Sequence, residues 1–118
     1  MYKFFGDFGS VEDIENMWAG VGSLSEATVI AAIYDTGDYS GDAMVVYRKE
    51  GKLYEVHCSH CSCNGLDSWR PEETTYEVLM DRLNKTEDYN AERFGEEFTS
   101  ALKRGLLDEM FDREVLEN

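Results

Sequence analysis

Hydrophobic positions in the first half of the chain follow two different periods. After Ser10, the apolar side chains of Val11, Ile14 and Trp18 fall at the three- and four-residue spacing of one helix face, and Asp13 completes a capping-box variant with Asp in place of Glu. The spacing predicts a helix over about 11–19, closed by Gly20 and Gly22. The run Ala27-Thr-Val-Ile-Ala-Ala-Ile-Tyr34 is too short and too β-branched to prefer helix and predicts a buried strand. Residues 35–42 are turn-rich, and Ala43-Met-Val-Val-Tyr-Arg48 follows as a second strand. Glu50-Gly51 then forms a tight turn into Lys52-Leu-Tyr-Glu-Val-His57, where polar and apolar residues alternate. The three strands read as an antiparallel meander.

An irregular stretch is expected from about Cys58 to Trp69, before Pro71. Thr74 and Glu77 then fit a capping box, and Tyr76, Leu79, Met80 and Leu83 share a face, predicting a second helix over about 75–84. Asp88 or Asn90 can cap a third, in which Ala91, Phe94, Phe98, Ala101 and Leu102 recur every three or four residues. Gly105 reads as a stop or kink before a last segment carrying Leu106, Leu107, Met110, Phe111 and Val115. The expected fold class is α+β: a three-stranded antiparallel meander with one N-terminal helix and two or three C-terminal helices packed on one sheet face. Trp18, Ile30, Ile33, Val46, Leu79, Phe94, Phe98 and Leu102 are the expected core.

Composition adds scale and sign. With 118 residues, 42% hydrophobic and 13% aromatic, the chain can bury a core as one domain over 1–118. Lys and Arg number 11 against 25 Asp and Glu, a net charge of −14. The acids spread over both halves, so the folded domain carries the charge. Lys and Arg are isolated or paired, as in Arg48-Lys49 and Lys103-Arg104, which argues against a phosphate-tracking groove and against adsorption to an anionic membrane. No apolar run approaches the ~18 residues needed to span a bilayer, and the start lacks the apolar core of a signal peptide. The expected location is the cytoplasm.

All three cysteines and both histidines fall in His57-Cys-Ser-His-Cys-Ser-Cys63. Cys58 and Cys61 have zinc-knuckle spacing, but a structural zinc closes around four ligands and no second pair exists; an extended chain would also point alternate side chains apart. No cofactor is therefore expected, and His60, Cys61 and Cys63 are the first ligands to consider if zinc does bind. A Cys–His nucleophilic pair is disfavoured by the same geometry, and with no HExxH, Walker loop or GxSxG motif the chain does not read as an enzyme. The odd cysteine count fits reduced thiols packed beneath helices. Asp35, Asp38 and Asp42 with Gly37 and Gly41 outline a calcium loop, but Met44 to Tyr47 stand where its closing Glu is required.

The segments Lys52-Leu-Tyr-Glu-Val56, Ser59-His-Cys-Ser-Cys63, Gly65-Leu66, Trp69 and Pro71-Glu-Glu-Thr74 resemble a signature of small bacteriophage and prophage proteins without an assigned activity. The resemblance covers residues 43–83; Cys58 and Asn64 depart from it, where Gly and Tyr are usual. It implies a phage setting inside a bacterial host and carries over His60, Cys61 and Cys63.

For a small acidic protein of this kind the expected function is stoichiometric binding and inhibition of a basic, nucleic-acid-binding host factor, a nuclease or a restriction or CRISPR effector, with carboxylates standing in for phosphates. Glu92, Glu96, Glu97, Asp108, Glu109 and Asp112 form the candidate ridge flanking the apolar face of the last helices. The alternative is a structural or metal-stabilised module centred on His57–Cys63. A solvated helix face that only keeps the protein soluble accounts for the same acids.

Overall fold

A computed structural model describes residues 3–37, 40–61, 65–85 and 89–117, with side chains described except at 85, 89–93 and 111–117. The elements are β1 (Phe4–Gly6), α1 (Val11–Met17), β2 (Thr28–Thr36), β3 (Ser40–Lys49), β4 (Lys52–Cys61), β5 (Glu72–Thr74), α2 (Tyr76–Lys85) and α3 (Tyr89–Glu117). β2, β3 and β4 form the expected antiparallel meander. Glu50 and Gly51 join β3 to β4 with φ of 54° and 78°, the two positive angles that a tight hairpin loop with the twist of its strands requires.

The meander is the middle of a larger sheet. β1 pairs parallel with β2, and β5 pairs antiparallel with β4, giving five strands in sequence order. The three-stranded expectation is thereby corrected to a five-stranded mixed sheet. Both additions are three residues long, too short to show a period. The placement of helices is corrected as well, since the sheet is covered on both faces. Ile30, Ile33, Met44, Val46 and Leu53 pack with Leu79 and Leu83 of α2 and with Phe94, Phe98, Leu102 and Leu106 of α3. Val29, Ala32, Val45, Tyr47 and Val56 pack instead with Phe8, with Ile14 of α1, and with Trp18 and Leu66. All eight residues expected in the core are buried.

Local chemistry explains the departures in detail. Register slips between Val29 and Ala31, so that Ile30 and Ala31 both join the core under α2 and α3, as a bulge allows. Ser10 Oγ accepts the Asp13 N–H at 3.2 Å, the cap read from sequence, whereas α2 is capped by Thr75 rather than Thr74, its Oγ1 accepting the Val78 N–H. Thr74 is spent on β5. The kink assigned to Gly105 falls at Gly95, whose φ of 85° and ψ of 166° break the helical path inside α3. Gly105 has another duty: a Cβ there would lie 2.7 Å from Ile30 Cγ2, so its absence lets α3 approach β2. Among the described residues no helix is long and apolar enough to cross a membrane.

Candidate functional site

β4 holds most of the chain's chemical side chains, and the pleat sorts them. The segment from Cys58 to Cys61, expected to be irregular, continues the strand. Glu55, His57, Ser59 and Cys61 fall on the side of α2 and α3; Val56, Cys58 and His60 fall on the side of α1. His60 and Cys61 therefore cannot close on one ion, and Cys63 lies outside the described residues. Among the described residues no group of three His, Cys, Asp or Glu side chains could hold a metal.

His60 is engaged at both nitrogens. Its Nδ1–H donates to the Cys61 carbonyl at 2.8 Å, which leaves Nε2 to accept the Tyr34 hydroxyl at 2.5 Å. Burial, with the negative charge of Asp7, raises the Tyr34 phenol above its ordinary value. The pair closes over Gly41, where a Cβ would sit 2.4 Å from His60 Nε2.

On the other face Glu55 is 4% exposed, an acid at a position where the alternation of β4 places a core residue. Its Oε1 accepts from His57 Nε2 at 2.7 Å and from Arg82 of α2 at 2.6 Å. Burial raises its pKa, but the two donors and their charge outweigh burial and hold it at about 2. The triad pins α2 to the sheet. Sequence reasoning missed it, although an acid between Tyr54 and Val56 was the available signal. Further along, Ser59 donates to Asp42 of β3 at 2.5 Å.

The acids expected to bind a partner have unequal fates. Glu96, Glu97 and Asp108 are exposed. Glu109 turns inward and accepts from Arg48 Nε at 2.6 Å, tying α3 to β3, and so leaves the ridge. The side chains of Glu92 and Asp112 lie outside the described residues. Arg104 sits on the same side of α3 as Glu97 and Asp108, at helical spacings of seven and four, so a base interrupts the ridge.

These acids border two clefts along α3. A groove of about 730 Å³ is lined by Phe4, Phe5, Gly6, Phe8 and Gly9 on one side and by Glu97, Ser100, Ala101 and Arg104 on the other. A smaller cleft of about 220 Å³, bounded by Lys3, Thr28, Gly105, Asp108 and Glu109 among others, shares Ala101 with it. The two edges of the sheet differ: β5 presents Glu72 and Glu73 after Pro71, residues that discourage strand pairing, whereas β1 presents Phe-Phe-Gly. Comparison with protein-family models, with curated proteins and with solved structures returned no match to this chain.

Proposed function

We propose that the protein is a phage-type, stoichiometric inhibitor that binds a basic, nucleic-acid-binding host protein through the α3 side of the molecule. The observation that carries this reading is the placement of exposed Glu97 and Asp108 on the walls of two adjoining clefts, one of them rich in phenylalanine. The larger cleft falls in the ~300–1,000 Å³ range of ligand sites, and Glu97 on its wall, with Asp108 and Glu109 on the wall of the smaller one, favours a cationic partner. The net charge of −14 acts in the same direction at longer range by raising the association rate.

The test is capture from bacterial lysate at low and high salt, followed by charge reversal. Glu96→Lys with Glu97→Lys should reduce capture at least tenfold with an unchanged melting temperature. The control reverses Glu12 and Glu26, exposed acids that line neither cleft. Asp13 and Glu15 are unsuitable, because their carboxylates accept the N–H groups of Gly9 and Leu24. Salt-insensitive capture, or equal loss from both pairs, would refute a contact made by the α3 carboxylates.

A further inference from the structure

We infer that the edge of β1 accepts an extended segment of the partner as a sixth strand, a segment that alternates Lys or Arg with aliphatic residues. The inference rests on the reading of the protein as a binder of a basic partner, and it specifies how that partner is held.

Backbone geometry supplies the first argument. The Lys3 carbonyl accepts the Ala32 N–H, and the Asp7 N–H donates to the Tyr34 carbonyl, both at 2.8 Å. In a trans peptide the C=O and N–H of one unit point in opposite directions. The Phe4 N–H and the Gly6 C=O are therefore directed away from β2, and β1 has a described strand on one side only. These groups lie on residues two positions apart, the period at which a strand presents its bonding groups to one neighbour.

The surroundings supply the second. Gly6 adopts φ +65°, and a Cβ there would lie 2.1 Å from the Tyr34 carbonyl oxygen, so only glycine lets the chain leave the sheet at this point. That exit carries Phe8 into the core on the α1 side and opens the groove beside β1; on the α3 side Phe5 and Ala101 can take the aliphatic side chains of an added strand, whose basic side chains then alternate to the α1 side. Strand addition at the other end is opposed by Pro71, Glu72 and Glu73.

Charge selects the occupant. Among the lining residues Glu97 and Arg104 offset each other; around them Asp7 follows Gly6 and the Asp13 carboxylate holds the Gly9 N–H, against Lys3 beside the Phe4 ring. A second copy of the chain would bring another −14 charges to this edge, whereas a basic segment meets opposite charge.

The probe is a labelled nine-residue peptide of alternating Lys and Val, titrated against the full chain. It should bind, should slow exchange of the Phe4 amide, and should lose at least tenfold in affinity when alternate backbone nitrogens are methylated, a change that keeps every charge and side chain. Phe4→Pro removes the outward N–H together with the ring, and Phe4→Ala removes the ring alone; the proline variant should bind the peptide at least tenfold more weakly than the alanine variant while the β1–β2 bonds persist. Equal affinity of the methylated peptide, no protection at Phe4, or no binding of the parent peptide would overturn the inference. If Glu96→Lys with Glu97→Lys abolishes capture of the lysate partner but Phe4→Pro does not, the edge assignment falls and the inhibitor reading stands. If capture proves insensitive to salt and to α3 charge, that reading falls, and the methylated-peptide comparison still decides the edge.

Discussion

Glu55 offers the sharpest link between geometry and a measurable free energy. Glu55→Gln keeps the shape of the side chain and removes its charge, as protonation would. A pKa depressed from 4.5 to about 2 corresponds to roughly 3 kcal/mol of stability for the ionised form. The donors are only partly buried, with Arg82 36% and His57 31% exposed, so screening brings the expectation to about 2 kcal/mol. Because the folded pKa lies below the unfolded one, this contribution is complete above about pH 4.5 and is lost as pH falls towards 2. Many other carboxylates titrate over the same range, so the informative quantity is the difference between wild type and variant. Urea unfolding followed by far-ultraviolet circular dichroism should show a gap of about 2 kcal/mol near pH 7 that falls to less than half by about pH 3. A gap that stays constant over that range, or one under about 0.5 kcal/mol near neutrality, would refute the assignment of Glu55 as a charge held by His57 and Arg82.

Three further substitutions test the packing. Phe98→Ala, at a fully buried position against Phe5 and Phe94, should cost about 3–5 kcal/mol in urea unfolding. Gly105→Ala should destabilise by about 1–2 kcal/mol even though alanine favours helix, because its methyl meets Ile30; a gain in stability would show that α3 can retreat without loss. Gly41→Ala should displace the His60 ring and cost about 1 kcal/mol through the lost Tyr34 bond, visible as altered His60 ring resonances by NMR, whereas unchanged resonances would contradict the close approach.

What could be read from sequence was whatever repeated. The antiparallel pairing of β2, β3 and β4, the Glu50-Gly51 turn, α1 with its Ser10 cap and the core stripes of α2 and of α3 as far as Leu106 carry a period or a local signal, whereas Leu107, read with that stripe, is 53% exposed. β1 was invisible because three residues have no period and their partner, β2, lies beyond α1. β5 was invisible for a different reason: a charged edge strand has no face to bury, and Glu72-Glu73-Thr74 reads as a helix approach. Gly105 illustrates an ambiguity of glycine itself, since a stop, a kink and a close approach all call for a missing Cβ. The candidate acids were legible as a group, but the inward turn of Glu109 depends on Arg48, a residue 61 positions away in the chain. The Phe-lined groove depends on β1 meeting α3, elements at opposite ends of the sequence.

The division of the molecule into two cores also decides what its own fluorescence can report. Trp18 and Trp69, the chain's two tryptophans, stand edge to face with ring centroids 4.9 Å apart, on the α1 side of the sheet. The α2 and α3 side contains no indole. Emission during unfolding therefore follows one layer, while the helical dichroism signal comes mainly from the other, since α2 and α3 hold most of the helical residues. Coincident curves would mean that the sheet transmits the loss of either layer to its opposite face, and separated curves would mean that the two layers melt in turn.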